Sequence, residues 1–74
     1  MLEKKIRRYK IMDAHREMIR RGKYWQGWLL LQLLRKGNIG VGLSDEGYEV
    51  ECLLEKLGCP VRYGRNFNTA IFRI

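Results

Sequence analysis

The sequence predicts an α+β fold: a small winged helix-turn-helix-like domain with three helices followed by a C-terminal β-hairpin. Three observations lead there. Long stretches of good helix formers run without proline as far as Pro60. A segment from Ser44 to Gly58 carries a capping residue, a helical apolar period and a stop. After Pro60 the period changes to the alternation of strands. The order helix, helix, short strand, helix, hairpin is that of a winged helix, and 74 residues suffice for one domain.

The first block is helical in composition, but its apolar phase is not continuous. At about 100° per residue, Leu2, Ile6 and Tyr9 form one stripe. Ile11, Ala14, His15 and Met18 fall on the opposite side. The jump near Lys10 predicts a loosely held basic arm over residues 1–10 and a packed helix from Ile11 to Arg21. The chain is therefore divided into an arm, 1–10, and a winged-helix-like domain, 11–74. Gly22 reads as the helix stop, with Arg20 and Arg21 favourably placed against the helix dipole.

Tyr24 to Lys36 reads as a second helix, apolar on nearly every side (Trp25, Trp28, Leu29, Leu30, Leu31, Leu33, Leu34). Such a helix lies in the middle of a fold or against a second copy, and the two tryptophans are expected to be structural. Arg35, Lys36 and Gly37 end it. Asn38 to Leu43 is a turn or a short strand. Ser44 then caps a third helix whose first turn holds Asp45 and Glu46. Val50, Leu53, Leu54 and Leu57 give it one buried face, Gly58 closes it and Pro60 prevents its continuation. Val61 to Ile74 reads as a hairpin with its turn at Gly64-Arg65-Asn66. Pairing Tyr63 with Phe72 would bring Arg62 next to Arg73.

Charge is the most informative feature. Fifteen Lys and Arg against eight Asp and Glu leave a net +7. Residues 1–36 hold eleven basic and three acidic side chains, residues 37–59 five acidic side chains and Lys56, and residues 60–74 three arginines. Such a field attracts phosphate polymers or an anionic surface. The expected function is therefore nucleic-acid binding, with DNA favoured over RNA, by a small accessory or regulatory protein. Transcription or recombination in a phage or plasmid would suit its size. Phosphate contacts are expected from the arm (Lys4, Lys5, Arg7, Arg8, Lys10), the first helix (Arg16, Arg20, Arg21, Lys23) and the hairpin (Arg62, Arg65, Asn66, Arg73). Asn68 and Thr69 would bond to phosphates beside them, and Phe67 and Ile71 could instead meet a partner.

The third helix opposes the usual winged-helix geometry. Its outward residues are mostly carboxylates, which DNA would repel, so it is not expected to read a groove. Tyr48, Glu51 and Glu55 are assigned instead to a protein partner, or to the basic end of a neighbouring copy in a homodimer or head-to-tail oligomer. The alternative function is accordingly a protein-interaction module, an inhibitor or adaptor docking through that acidic helix or the basic face.

Catalysis has little to work with. Ser44 is explained as a cap, and His15 on an apolar helical face as a partly buried histidine with a local partner. The carboxylates of residues 45–55 lack an acid–base counterpart. Gly37, Gly40, Gly42 and Gly47 match neither GxGxxG nor a P-loop and read as a tight connection. No enzyme, cofactor or metal site is expected: two cysteines seven apart and one histidine do not make a zinc set. Reduced thiols place the protein in the cytoplasm. Met1 to Lys10 lacks the apolar run of a signal peptide. Tyr24 to Leu34 is eleven residues, whereas a bilayer span needs about 20, so no membrane partner is expected.

Overall fold

The computed structural model describes residues 2–64 and 68–74, with the side chain of Leu2 set aside. The chain is α+β: helices α1 (Leu2–Arg20), α2 (Tyr24–Lys36) and α3 (Asp45–Lys56), with strands β1 (Asn38–Gly42), β2 (Val61–Tyr63) and β3 (Thr69–Arg73). The strands form one antiparallel sheet in the order β1-β3-β2. This agrees with a small winged-helix-like domain. The link from α2 to α3 is the strand β1, not the three- or four-residue turn of a helix-turn-helix.

The basic arm is not a separate segment. Residues 2–10 are the first half of α1, which continues unbroken to Arg20. The buried stripe of α1 is Arg7, Ile11, Ala14 and Met18, spaced i, i+4, i+7 and i+11. Its first member is an arginine, so a reading of apolar residues alone sees a phase jump where the backbone has none. Ile6 and Tyr9 stay exposed on the far side.

The ends of α1 and α3 close on a glycine in the same way. Gly22 and Gly58 sit at φ 80° and 76°, left-handed positions that cost a side chain-bearing residue energy. Each makes a Schellman closure. Gly22 N–H donates to Ile19 O and Lys23 N–H to Met18 O, while Gly58 N–H donates to Glu55 O and Cys59 N–H to Leu54 O. At the start of α3, Ser44 Oγ accepts from Gly47 N–H at 2.9 Å, as the sequence predicts. Ser44→Ala should lower stability by about 1 kcal/mol. For a domain of this size that is a fall in Tm of about 4–8 °C by circular dichroism.

One buried cluster joins the layers: Ile11 and Met18 from α1, Leu29, Leu30 and Leu33 from α2, Ile39 and Val41 from β1, Val50 and Leu54 from α3, and Ala70 and Phe72 from β3. Cys59 completes it. Of the expected α3 face, Val50 and Leu54 are buried while Leu53 and Leu57 pack at its margin. α2 is not enclosed on all sides, since Tyr24, Trp25 and Trp28 are exposed.

The hairpin register differs from expectation by two residues. Tyr63 pairs with Ala70 and Val61 with Phe72, so Arg62 stands opposite Ile71. A shift of two keeps every side chain on its face, because the strand period is two. Arg62, Ile71 and Arg73 therefore still share the outer face and line one small hollow with Pro60 and Val61.

Candidate nucleic-acid interface

The structure draws part of the expected basic set together along α1. Lys5, Arg8, Tyr9, Met12, Asp13 and Arg16 follow the spacing i, i+3, i+4, i+7, i+8 and i+11, one stripe of a helix. With Leu34 of α2 they line an open hollow of about 540 Å³. Its walls carry three cations and one carboxylate. Tyr9 is 66% exposed beside them, and Met12 and Leu34 add apolar surface. Arg8 is held in place, as its Nη2 donates to Leu34 O at 3.0 Å, at the carbonyl-rich end of α2. Met12, Asp13 and Leu34 were not legible as members. Leu34 joins the site because α1 and the end of α2 lie side by side.

The remaining predicted residues lie elsewhere. Lys4 is exposed near the start of α1. Lys10 and Arg7 line a different hollow with Glu3, Ile6 and Leu57. Arg7 is half-buried and its Nε is enclosed with no hydrogen-bond partner among the described residues. Burial pushes the Cys59 thiol up, and the nearby Arg7 charge opposes that shift. Arg7 thus lies partly within the packing, with its Nε enclosed.

Arg20 and Arg21 both pair with Glu17, Arg21 Nε at 2.9 Å. Hydrogen bonds from Arg20 and then Arg21 hold the Glu17 carboxyl below its usual range. Lys23 Nζ contacts both carboxylate oxygens of Glu49 at 2.7 and 2.8 Å. Lys23, expected to contact phosphate, is thus already paired with the acidic helix. The Gly22 turn delivers that ammonium to the side of α3, where a carboxylate partly shielded from water attracts it.

Arg62 and Arg73 stand on the outer sheet face, apart from the α1 hollow in the residues that line it. Asn68 is exposed and Thr69 half-buried, and Ile71 is exposed beside Arg62. Arg65, Asn66 and Phe67 lie outside the described residues. The basic residues expected to contact phosphate therefore fall into several groups, of which the α1 hollow holds the most cations.

On α3, Tyr48, Glu51, Cys52 and Glu55 share one face. Tyr48 is 65% exposed. Its hydroxyl pKa is raised, first by the hydrogen bond to Cys52 and also by the nearby Glu55 and Glu51 carboxylates. A surface of this sign repels phosphate. His15 Nδ1–H donates to Gly27 O at 2.6 Å, the local partner expected for it. Both cysteines are free thiols.

Among the described residues no group of three or more His, Cys, Asp or Glu could hold a metal ion, and no helix is long and apolar enough to cross a membrane. No protein-family model matches the chain, and neither does any curated protein or solved structure.

Proposed function

We propose that the protein binds nucleic acid, DNA in preference to RNA, as a small cytoplasmic accessory or regulatory factor. The observation that carries this reading is the stripe of Lys5, Arg8 and Arg16 with Tyr9 along one side of α1. Cations along one side of a rigid helix can follow a phosphate backbone, and each neutralised phosphate releases condensed counterions. An exposed tyrosine among them offers a ring to a sugar or an unstacked base. Arg62 and Arg73 supply further phosphate contacts from the sheet, and Lys4 and Lys10 from the rest of α1. The net +7 of the chain sets the long-range attraction.

The test is a salt titration of binding to duplex DNA and to a single-stranded RNA of equal length. The log–log slope on duplex should be steep and should fall by about 2–3 in the triple variant K5A/R8A/R16A, since each contact contributes about 0.9. Lys23→Ala should leave the slope unchanged, because Glu49 already engages that ammonium. A wild-type slope near zero overturns the reading.

A second reading is favoured by the α3 face. Tyr48 stands exposed among Glu51 and Glu55, the arrangement of an anchor with an acidic rim. That face would dock a protein, or the basic helix of a neighbouring copy in head-to-tail assembly. It predicts a stoichiometric complex that is lost on charge reversal at Glu51 and Glu55.

A further inference from the structure

Every exposed large apolar side chain of α2 is a ring. Tyr24, Trp25 and Trp28 are exposed, whereas Leu29, Leu30 and Leu33 are buried and Leu31 and Leu34 partly so. The helix carries no acidic residue and ends on Arg35 and Lys36. Trp28, Gln32 and Lys36 stand at i, i+4 and i+8, one row of the helix. With Asn38 and Gly40 of β1 they line an open hollow of about 270 Å³, to which the buried Leu29 and Ile39 add apolar surface.

The walls of this hollow differ in chemistry. Trp28 is 52% exposed and presents an indole for stacking. The side-chain amides of Gln32 and Asn38 each carry donors and an acceptor. Gly40 lies opposite Ile71 at a position where the ladder makes no bond, since Leu43 N–H donates to Asn68 O and Ile74 N–H to Gly37 O. Its own N–H and C=O therefore point away from β3. Lys36 adds an ammonium, and no carboxylate lines the hollow. A ring, amides, backbone groups and a cation suit a planar heterocycle joined to a phosphate.

This hollow and the basic stripe of α1 both reach the last turn of α2, where Leu34 lines one and Lys36 the other. A strand whose phosphates follow Lys5 and Arg8 thus arrives at Arg35 and Lys36. Other occupants fit less well. Two copies meeting through α2 would bring both pairs of Arg35 and Lys36 together with no carboxylate of α2 between them. To a bilayer α2 offers no exposed aliphatic side chain.

We propose that the hollow between α2 and β1 seats an unpaired base of single-stranded nucleic acid. The base stacks on Trp28, Gln32 and Asn38 bond its polar edge, and Lys36 holds its phosphate. The inference rests on the nucleic-acid reading and adds to it a base-binding site. In the Trp25→Phe variant Trp28 is the sole tryptophan. Oligo(dT) of about 12 nucleotides should quench its emission, and a duplex of equal length should not. Trp28→Ala should weaken oligo(dT) binding by at least about fivefold while duplex affinity and helical circular dichroism are kept. Trp28→Phe, which keeps a ring, should recover most of that loss. Gln32→Ala should weaken oligo(dT) binding by a smaller factor.

Quenching, with loss in Trp28→Ala and recovery in Trp28→Phe, supports the proposal. Salt-dependent binding of duplex and oligo(dT) that leaves Trp28 unquenched overturns it, and the nucleic-acid reading stands. Equal losses for duplex and oligo(dT) in Trp28→Ala overturn it in the same way. Binding to neither overturns both. Emission that responds instead to protein concentration, or to vesicles of anionic phospholipid but not to oligo(dT), assigns the ring to a second copy or a lipid surface and overturns the proposal too. Should Trp28→Ala fail to fold, quenching in Trp25→Phe and the loss in Gln32→Ala carry the test.

Discussion

Phe72→Ala is expected to remove about 3–5 kcal/mol of stability, the range for deleting a buried aromatic ring. At about 0.05–0.15 kcal/mol per residue, a chain this short has roughly 4–11 kcal/mol in total, so the variant should lose a large share of its stability. Phe72 is fully buried and lies on β3, which is bonded on both sides. Ile39 stands opposite it on β1 and Val61 on β2. Losing the ring opens a void between the sheet and the helices. Urea unfolding should show a lower midpoint with an unchanged slope. Phe72→Leu, which keeps most of the volume, should cost far less. A midpoint for Phe72→Ala within error of wild type would mean that the sheet is not anchored through this residue.

Gly47→Ala should destabilise by about 1–3 kcal/mol, although helix propensity alone favours alanine by about 1 kcal/mol. Gly47 is in the first turn of α3, packed directly against the end of β1. A Cβ there would collide with the Gly42 carbonyl oxygen and press on Ser44 Oγ and Val41 Cγ1, each at 3.0 Å. The carbonyl belongs to the backbone and cannot swing aside as a side-chain end would. Moving the helix instead would stretch the bond from Gly47 N–H to Ser44 Oγ, so the cap would be weakened as well. Gly42→Ala is the control, since its Cβ would enter open space. Thermal melts of the two variants should diverge, and equal melts would rule out close packing at the β1–α3 corner.

What could be read from the sequence follows from how locally each feature is determined. The bounds of α2, the Ser44 cap and the Gly58 stop depend on residues within one turn of one another, and they appear as expected. The unity of α1 does not, because the buried stripe begins with Arg7, whose aliphatic stem packs while hydropathy counts it as polar. The hairpin register escapes for another reason. The connection between β2 and β3 is longer than the two-residue turns that fix alignment, so alternation sets the face but not the partner.

The site was legible only in part. Basic residues in sequence are visible, but their neutralisation is not when the partner is remote, as Glu49 is from Lys23. The hollow at Lys5, Arg8 and Arg16 needs Leu34 from another helix.

The unbroken course of α1 also bears on the thermodynamics of encounter. A flexible tail that winds up on its target would incur about 1–2 kcal/mol per residue in lost backbone freedom at that moment. Residues 2–10 are already wound as part of α1. A polyanion reaching Lys5 and Arg8 would thus meet a stiff rod, with the ordering cost already met during folding. Its docking would resemble a key entering a lock more than the coupled folding of a loose strand.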